Sequence, residues 1–513
     1  MISGKKALFL SIILIVNFLL WFKSFSLDFY NDDYQILSFA QENFSKNPLK
    51  VFTSQDVSNF YFRPLPNLLH TTTLVLFGYN PLPFRILNFL LYLALVYTLY
   101  FFLLRLTSNE TLTFCSTLLF ALLPSHDLFL VWIASIGDIL ASLFILLSFY
   151  FLLFGSNKNA LAFALFFFFL SGLSKESTIL APFLSIALSF IFTDRKTILR
   201  RYTVFTLLVL IFLFAYRHLV LDINILQSPN AQNFSPGSLL NIFVYPFVIV
   251  VPTFASTIEN PLGLILNFIF LLATLSLLVL FIFHKREKNL KAIYLGLLWY
   301  VFFVLPAVPL FMRWYSLLPS LGLLFVATEF LKQIKTKTML VFLVPLFLIL
   351  SVVDYYSVSG WKKANSFAQN ILNEIADLDT KGKDKMLLWF FPQYYNNYPI
   401  LRSGVQQAIN FHRKAKLNEV LLPISIAFKE TTRIEFQSPI KDTFTFKIYN
   451  AKVFLSFRNE KFDSTATADN DYYFLSISKQ NPFEYHICLY FHKTKPEYAN
   501  FFFNGKKFIL LEK

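Results

Sequence analysis

An all-α polytopic membrane domain followed by a small β-rich domain is the fold class this sequence predicts, on three observations. First, the 513 residues are 56% hydrophobic and only 15% charged, where a soluble chain carries about a quarter charged residues. Second, apolar runs recur from residue 7 to residue 353, separated by short polar breaks. Third, the composition changes past Asp354, where alternating strand-like runs replace the apolar blocks. The boundaries expected are a transmembrane domain over 1–354 with a large first outer loop over 23–83, an amphipathic helical linker over 355–383, and a β-rich or α+β extracytoplasmic domain over 384–513.

The first apolar run, 7–22, follows Lys5-Lys6 and has no small-x-small cleavage site after it. It reads as an uncleaved first span with a cytoplasmic N-terminus. Further spans are expected over 84–105, 111–123, 128–154, 160–173, 178–192 and 202–220, with basic clusters at Arg195-Lys196 and Arg200-Arg201 on the cytoplasmic side. The segment 241–254 holds Pro246 and Pro252 and is read as re-entrant or interfacial, because that choice leaves the basic loops 284–288 and 332–337 cytoplasmic. Spans over 262–283, 292–310, 314–331 and 339–353 complete about eleven helices on the length rule. The net charge of +15 then reflects cytoplasmic loops and anionic headgroups rather than nucleic acid. The localisation expected is a bacterial inner (plasma) membrane, with the N-terminus cytoplasmic and the C-terminal domain outside.

Trp361, Ala364, Ala368, Ile371, Ile375 and Leu378 repeat at three and four, an amphipathic helix. Strands are expected over 387–391, 443–449, 453–457, 472–477 and 486–491, and Asn504-Gly505 marks a hairpin between two phenylalanine-rich runs. Cys115 and Cys488 form no disulfide framework, no Cys/His set has zinc spacing, and no Gly-rich loop with Lys-Ser/Thr supports an ATP-driven pump.

The chemistry-bearing residues gather at the ends of spans. Asp32 and Asp33 lie in the first loop, where ionisable groups meet the membrane. A carboxylate there takes a proton from a hydroxyl or holds a divalent cation against a leaving phosphate; the alternative is a solvated or helix-capping pair. His126, Asp127 and Asp138 add polar groups on the same side, as acceptor-orienting residues or as a cap and a buried partner. Lys175, Arg313 and Arg63 lie opposite the main basic loops. Such cations grip a lipid phosphate, or snorkel to headgroups. Arg63 has a further alternative in an aspartate of its own loop, and Arg85 reads as a headgroup anchor.

The order of these segments carries a resemblance. Tyr61-Phe62-Arg63-Pro64-Leu65, Phe84-Arg85-Ile86-Leu87-Asn88, Pro124-Ser125-His126-Asp127, Trp132 to Ala141, Leu173-Ser174-Lys175-Glu176 and Arg313 to Gly322 follow the Asp-Asp loop in turn. Together they resemble the GT-C glycosyltransferase superfamily, and within it the membrane regions of protein O-mannosyltransferases and TPR-bearing transmembrane O-mannosyltransferases. The resemblance implies an inverting transfer of a sugar from a polyprenyl-phosphate donor to a protein, glycan or lipid acceptor. It implies Asp32 and Asp33 as the catalytic acidic pair and matches Lys175 and Arg313 to family cations; Arg63 joins them as a donor-phosphate residue on its own position and charge. His126, Asp127, Asp138 and Glu176 become acceptor or supporting residues. A divalent cation, Mg or Mn, would sit on Asp32 and Asp127 if one is used. The chain departs from the family where Ile136-Gly137 replaces a Gly-Arg before the matching Asp138, in the spacing of His126-Asp127, and in having a β-like tail in place of TPR repeats. A transporter or lipid flippase is the competing class; it calls for broken helices meeting at the midplane, whereas the polar residues here fall at span ends.

Overall fold

A computed structural model describes residues 4–57, 61–156, 158–223, 235–250, 290–309, 313–396, 398–413, 416–440, 443–455, 465–469, 473–481, 484–491 and 498–511. The chain divides into two compact units, one of Met1–Leu27 with Phe39–Ser359, the other of Asp28–Ser38 with Gly360–Lys513.

The first unit is helical. Among the described residues, six helices are long and apolar enough to cross a membrane: Gly4–Ser26, Pro81–Thr107, Ile133–Phe154, Thr193–Leu219, Leu290–Ala307 and Thr336–Asp377. The pair Glu110–Ala121 and Pro124–Val131, bent by 52°, makes a seventh if it is one span. Ala160–Gly172 and Glu176–Ile191 are apolar but shorter. The expected span 262–283 and the basic loop 284–288 lie outside the described residues, as does the end of 241–254, so the expected eleven spans are matched only in part. The chain is nonetheless an integral membrane protein, since Phe190, Ile211 and Phe342 stand 68, 64 and 69% exposed on helices that lipid, not water, can cover.

Several boundaries moved for local reasons. Pro124 lacks the amide that would continue the helix begun at Glu110. Trp132 is extended, at φ −109° and ψ 111°, so the run expected from 128 begins its long helix only at Ile136. Asn80 and Asn109 cap the helices that follow them, accepting from the Leu82 and Leu112 amides. The expected span 339–353 and the amphipathic stretch beyond it form one helix, Thr336–Asp377, which tolerates Pro345 within it.

The interior of this unit is aromatic. Phe102 stacks on Phe325 at 5.0 Å, and Trp299 meets Phe149 edge-on at 5.2 Å. Small residues let two helices touch: a Cβ on Gly296 would lie 2.6 Å from the Gly322 carbonyl oxygen, and one on Gly322 would lie 2.5 Å from the Tyr300 amide nitrogen. Backbones this close are a recurrent way of packing helices in lipid. Replacing Gly322 by Leu should therefore lower stability by about 1–3 kcal/mol or more, read as a drop in thermal midpoint in detergent; an unchanged midpoint would show that the helices can part freely.

The second unit carries three sheets. One orders Phe508–Leu510, Tyr498–Phe503, Lys385–Trp389 and Glu419–Leu421, with Lys385–Trp389 parallel to both neighbours. A second, antiparallel sheet orders Arg433–Ile440, Thr443–Tyr449, Glu484–Phe491, Tyr473–Asn481 and Thr465–Asp469. The third orders Tyr398–Pro399, Phe391–Tyr395, Ile424–Phe428 and Lys452–Leu455. The expected hairpin is present: Phe503 pairs with Phe508, and Gly505 takes φ +96° in the turn. A helix over Val405–His412 was not foreseen.

Candidate functional site

The acidic segment is built by the second unit. Asn31 takes φ +55°, which turns the chain into the helix Asp32–Asn43. Its side-chain oxygen accepts from the Arg402 and Ser403 amides at 2.9 and 3.2 Å, and its own amide donates to the Ile400 carbonyl at 3.0 Å. Gly404, at φ +68°, closes the contact; a Cβ there would lie 3.1 Å from the Asn31 carbonyl oxygen. On the other side, Asn365 receives the Asp28 amide at 3.0 Å and Gln369 donates to the Phe29 carbonyl at 3.0 Å.

The two aspartates differ. Asp33 is buried, and its carboxylate reaches back to the Tyr30 amide at 3.3 Å, as a residue in the first turn of a helix does when it caps. Asp32 is half-buried, and one carboxylate oxygen is sealed from solvent with no hydrogen-bond partner. Burial pushes its carboxyl up to about 6, against the opposing pull of the Arg402 guanidinium. A base with that affinity changes charge in the range where most enzymes work.

The other sequence-predicted residues fall in the first unit, where each expected phosphate ligand has a carboxylate partner. Lys175 is buried, with its Nζ 2.6 Å from both oxygens of Asp138 and 4.8 Å from the centre of the Tyr315 ring. Arg63 donates from Nε to Glu176 at 2.9 Å and stacks on Tyr61 at 4.0 Å, so its partner is Glu176. Arg313 lies 3.1 Å from Asp127 and also donates to the Pro124 carbonyl. The short 3₁₀ turn Arg313–Tyr315 links two of these pairs, with Arg313 on Asp127 and Tyr315 under Lys175.

Glu176 is the most heavily used of these carboxylates. Besides Arg63 it accepts from Arg217 at 2.8 Å and from the Phe62 amide at 3.4 Å, while Arg217 also donates to the Phe62 carbonyl at 3.0 Å. Burial alone would raise the carboxyl, but Arg63 and then Arg217 outweigh it and hold it at about 2. For Arg63, burial works against the charge, and Glu176 followed by Asp56 more than restores it. Asp56 is pushed up by burial, against Arg63 and its bonds from the Val57 amide and Asn67.

His126 is buried in the core, with Tyr92 at 2.9 Å from Nδ1 and Ser320 at 3.3 Å from Nε2. That is a fixed core histidine rather than one aimed at a ligand. Asp127 is equally buried. One oxygen accepts from the Leu128 amide at 2.7 Å and from Arg313, the other from the Ser357 hydroxyl. With three of about four lone-pair sites in use, Asp127 does not fit a divalent cation as it stands. Among the described residues no group of three His, Cys, Asp or Glu side chains is placed to hold a metal. Arg85 is not a headgroup anchor: it is 1% exposed and donates to the Leu27 and Val131 carbonyls at 2.8 and 2.6 Å. Its guanidinium satisfies acceptors that the breaks in the helices leave open.

Sequence reasoning missed three residues. Arg217 sits in the last turn of an apolar helix, where a cation needs no special explanation. Ser357 gives no signal in sequence. Asp354 is fully buried with both oxygens lacking hydrogen bonds, one helical turn from Ser357 and within the fields of Asp127 and Arg313; an acid among apolar residues was the signal available.

No family model and no curated protein matches the chain. Among solved structures it is similar to ArnT from Cupriavidus metallidurans bound to undecaprenyl phosphate, at 14% identity over 82% of this chain and 86% of that one, with a TM-score of 0.34. A likeness this loose carries no argument about activity.

Proposed function

We propose that the chain is an inverting GT-C-type glycosyltransferase that moves a sugar from a polyprenyl-phosphate donor to an acceptor hydroxyl on the outer face of the membrane. Asp32 takes the acceptor proton as the acceptor oxygen bonds to the anomeric carbon. The bond from that carbon to the phosphate oxygen breaks, and the electron pair leaves with the lipid phosphate. Lys175, Arg313 and Arg63 receive the phosphate charge, exchanging part of their contact with Asp138, Asp127 and Glu176 for it. Asp33 and His126 hold structure in this reading, and Asp127, Asp138 and Glu176 orient the cations.

The observation that carries the reading is the state of Asp32: a half-buried carboxyl with an unpartnered oxygen and an affinity for protons near neutrality. The ordered motifs and the cations held in ion pairs within an apolar unit support it. A solvated or purely capping aspartate would have neither property, and Asp33 shows what capping looks like.

The test is to incubate the purified protein in nanodiscs with undecaprenyl phosphate carrying mannose, glucose or galactose, together with a membrane extract as acceptor source. Release of undecaprenyl phosphate that needs the extract is the expected result. Passage of the intact lipid across the bilayer without release would instead establish a flippase.

A further inference from the structure

Asp32 is pinned on both sides by residues far from it in sequence, all within the second unit. Asn365, Gln369 and Asn373 stand four residues apart on the helix Thr336–Asp377, so their amides share one face of it. The first two hold the chain ahead of Asp32. Asn365 exchanges two bonds with the Asp28 backbone, at 3.0 and 3.2 Å, and Gln369 donates to the Phe29 carbonyl at 3.0 Å. The third reaches the chain beyond Asp32 through a histidine. Asn373 lies 3.1 Å from His412 Nδ1, and His412 Nε2 lies 3.3 Å from the hydroxyl of Tyr34.

The direction of each bond follows from one fixed donor. Gln369 Nε2 serves the Phe29 carbonyl, which only accepts, and the same nitrogen lies 3.1 Å from the Tyr34 hydroxyl. Tyr34 therefore accepts from Gln369 and donates its own hydrogen to His412 Nε2. His412 is then the neutral tautomer with its proton on Nδ1, given to the Asn373 side-chain oxygen. Burial holds the imidazole below its ordinary range, against the pull of Asp28, and so keeps it in that form at neutral pH. Tyr34 is 3% exposed, with its ring against Phe29, Phe411 and His412. The relay runs Gln369, Tyr34, His412, Asn373, and it begins and ends on one helix face.

Residues 32 and 34 lie in the same first turn of the helix Asp32–Asn43, on different sides of it. A side chain gripped at position 34 therefore fixes the roll of that turn and with it the direction in which position 32 points. For a general base that direction matters, since a misplacement of about 1 Å can cost a hundredfold in rate.

We propose that His412 is a positioning residue for the base: by receiving the Tyr34 hydroxyl it sets the roll of the first helical turn and aims the Asp32 carboxylate. The assignment rests on the reading of Asp32 as the base and adds to it the side chains that hold it in place.

The test uses the full chain in nanodiscs and initial rates of undecaprenyl-phosphate release between pH 4.5 and 8, with undecaprenyl phosphate carrying mannose, glucose or galactose as the donor. His412→Phe keeps a ring against Tyr34 but deletes both nitrogens. It should lower the plateau rate about three- to tenfold, the scale of one hydrogen bond, with KM for the glycosyl lipid unchanged. The bend of the pH curve should move from about 6 toward 3.8, because a loosened turn lets water reach Asp32. Tyr34→Phe should do the same, and the double variant no more than either. His412→Gln, whose side-chain oxygen can accept from Tyr34, should restore both plateau and bend. A lowered plateau with the bend unmoved would mean only less folded protein and would overturn the proposal. So would wild-type behaviour of His412→Phe, or His412→Gln being as impaired as His412→Phe. Asp32→Asn separates the two readings: if it is inactive while His412→Phe is unimpaired, the base stands and the positioning falls; if it keeps wild-type turnover, both fall. Both fall as well if the wild type releases no lipid phosphate from any of the three donors.

Discussion

Asp32→Asn is expected to lower sugar transfer by about 10³-fold, the scale of a lost general base, while the protein remains folded in membranes. The sign of the stability change separates this from a folding defect. The native environment raises the Asp32 carboxyl from 3.8 to about 6. A raised folded affinity means that its stabilising contribution is present below about 3.8 and is lost as pH rises through about 6. At neutral pH the ionised Asp32 therefore opposes folding, and the asparagine variant should melt at the same temperature as wild type or higher, as when a site gives up stability for function. The wild-type rate should rise tenfold per pH unit up to about 6 and then level off, and the residual rate of the variant should not follow that curve. Measured initial rates of undecaprenyl-phosphate release between pH 4.5 and 8 decide the matter. A variant with wild-type turnover would exclude Asp32 as the base. Asp33→Ala should behave oppositely, losing about 1 kcal/mol of helix capping with transfer retained, because it deletes the acceptor of the Tyr30 amide.

Glu176→Leu should have the largest effect on the fold. The substitution strips one carboxylate from two guanidiniums, Arg63 and Arg217, whose side chains are 24 and 8% exposed. Leaving partly buried charge uncompensated costs about 3–5 kcal/mol, enough to empty the membrane of folded protein or to drop its thermal midpoint by many degrees. Adding Arg217→Met should return part of that loss, because the two substitutions act on one network and are not additive. The same carboxylate gives an acid limit. Its folded affinity is lowered from 4.5 to about 2, so its contribution is complete above about 4.5 and disappears as pH falls toward 2. Wild-type protein should lose a step of stability in that window that Glu176→Leu lacks. A fully stable single variant would mean that the triad is ornamental.

What the sequence made legible was what depends on neighbours in the chain. The Asn504-Gly505 turn was readable because Gly505 needs a positive φ. A helix at the Asp32-Asp33 pair was readable as the capping alternative, because acidic residues favour the first turn of a helix. The pairings were not readable. Lys175 meets Asp138 across 37 residues, and Arg63 meets Glu176 across 113. Sequence alone left the cations looking available, whereas the fold gives each an acid. Nor does local pattern announce that Lys385–Trp389 runs parallel to Tyr498–Phe503, since parallel neighbours need no turn between them. The break at Pro124 was readable from the proline, whereas the one at Trp132 was not, because hydropathy averages over a single residue that interrupts the backbone ladder.

The Arg63–Glu176–Arg217 triad also sets a timetable for synthesis. Its members leave the ribosome far apart, Glu176 113 residues after Arg63 and Arg217 a further 41 after that. At about 5–20 residues per second, the last interval occupies roughly 2–8 s. Until Arg217 is made, Glu176 lacks the partner that also donates to the Phe62 carbonyl, because that residue sits in the last turn of the helix Lys196–Leu219. Closure of this corner waits for the helix to be translated almost to its last turn, so a chain truncated just before residue 217 would leave Glu176 with only one of its two guanidinium partners.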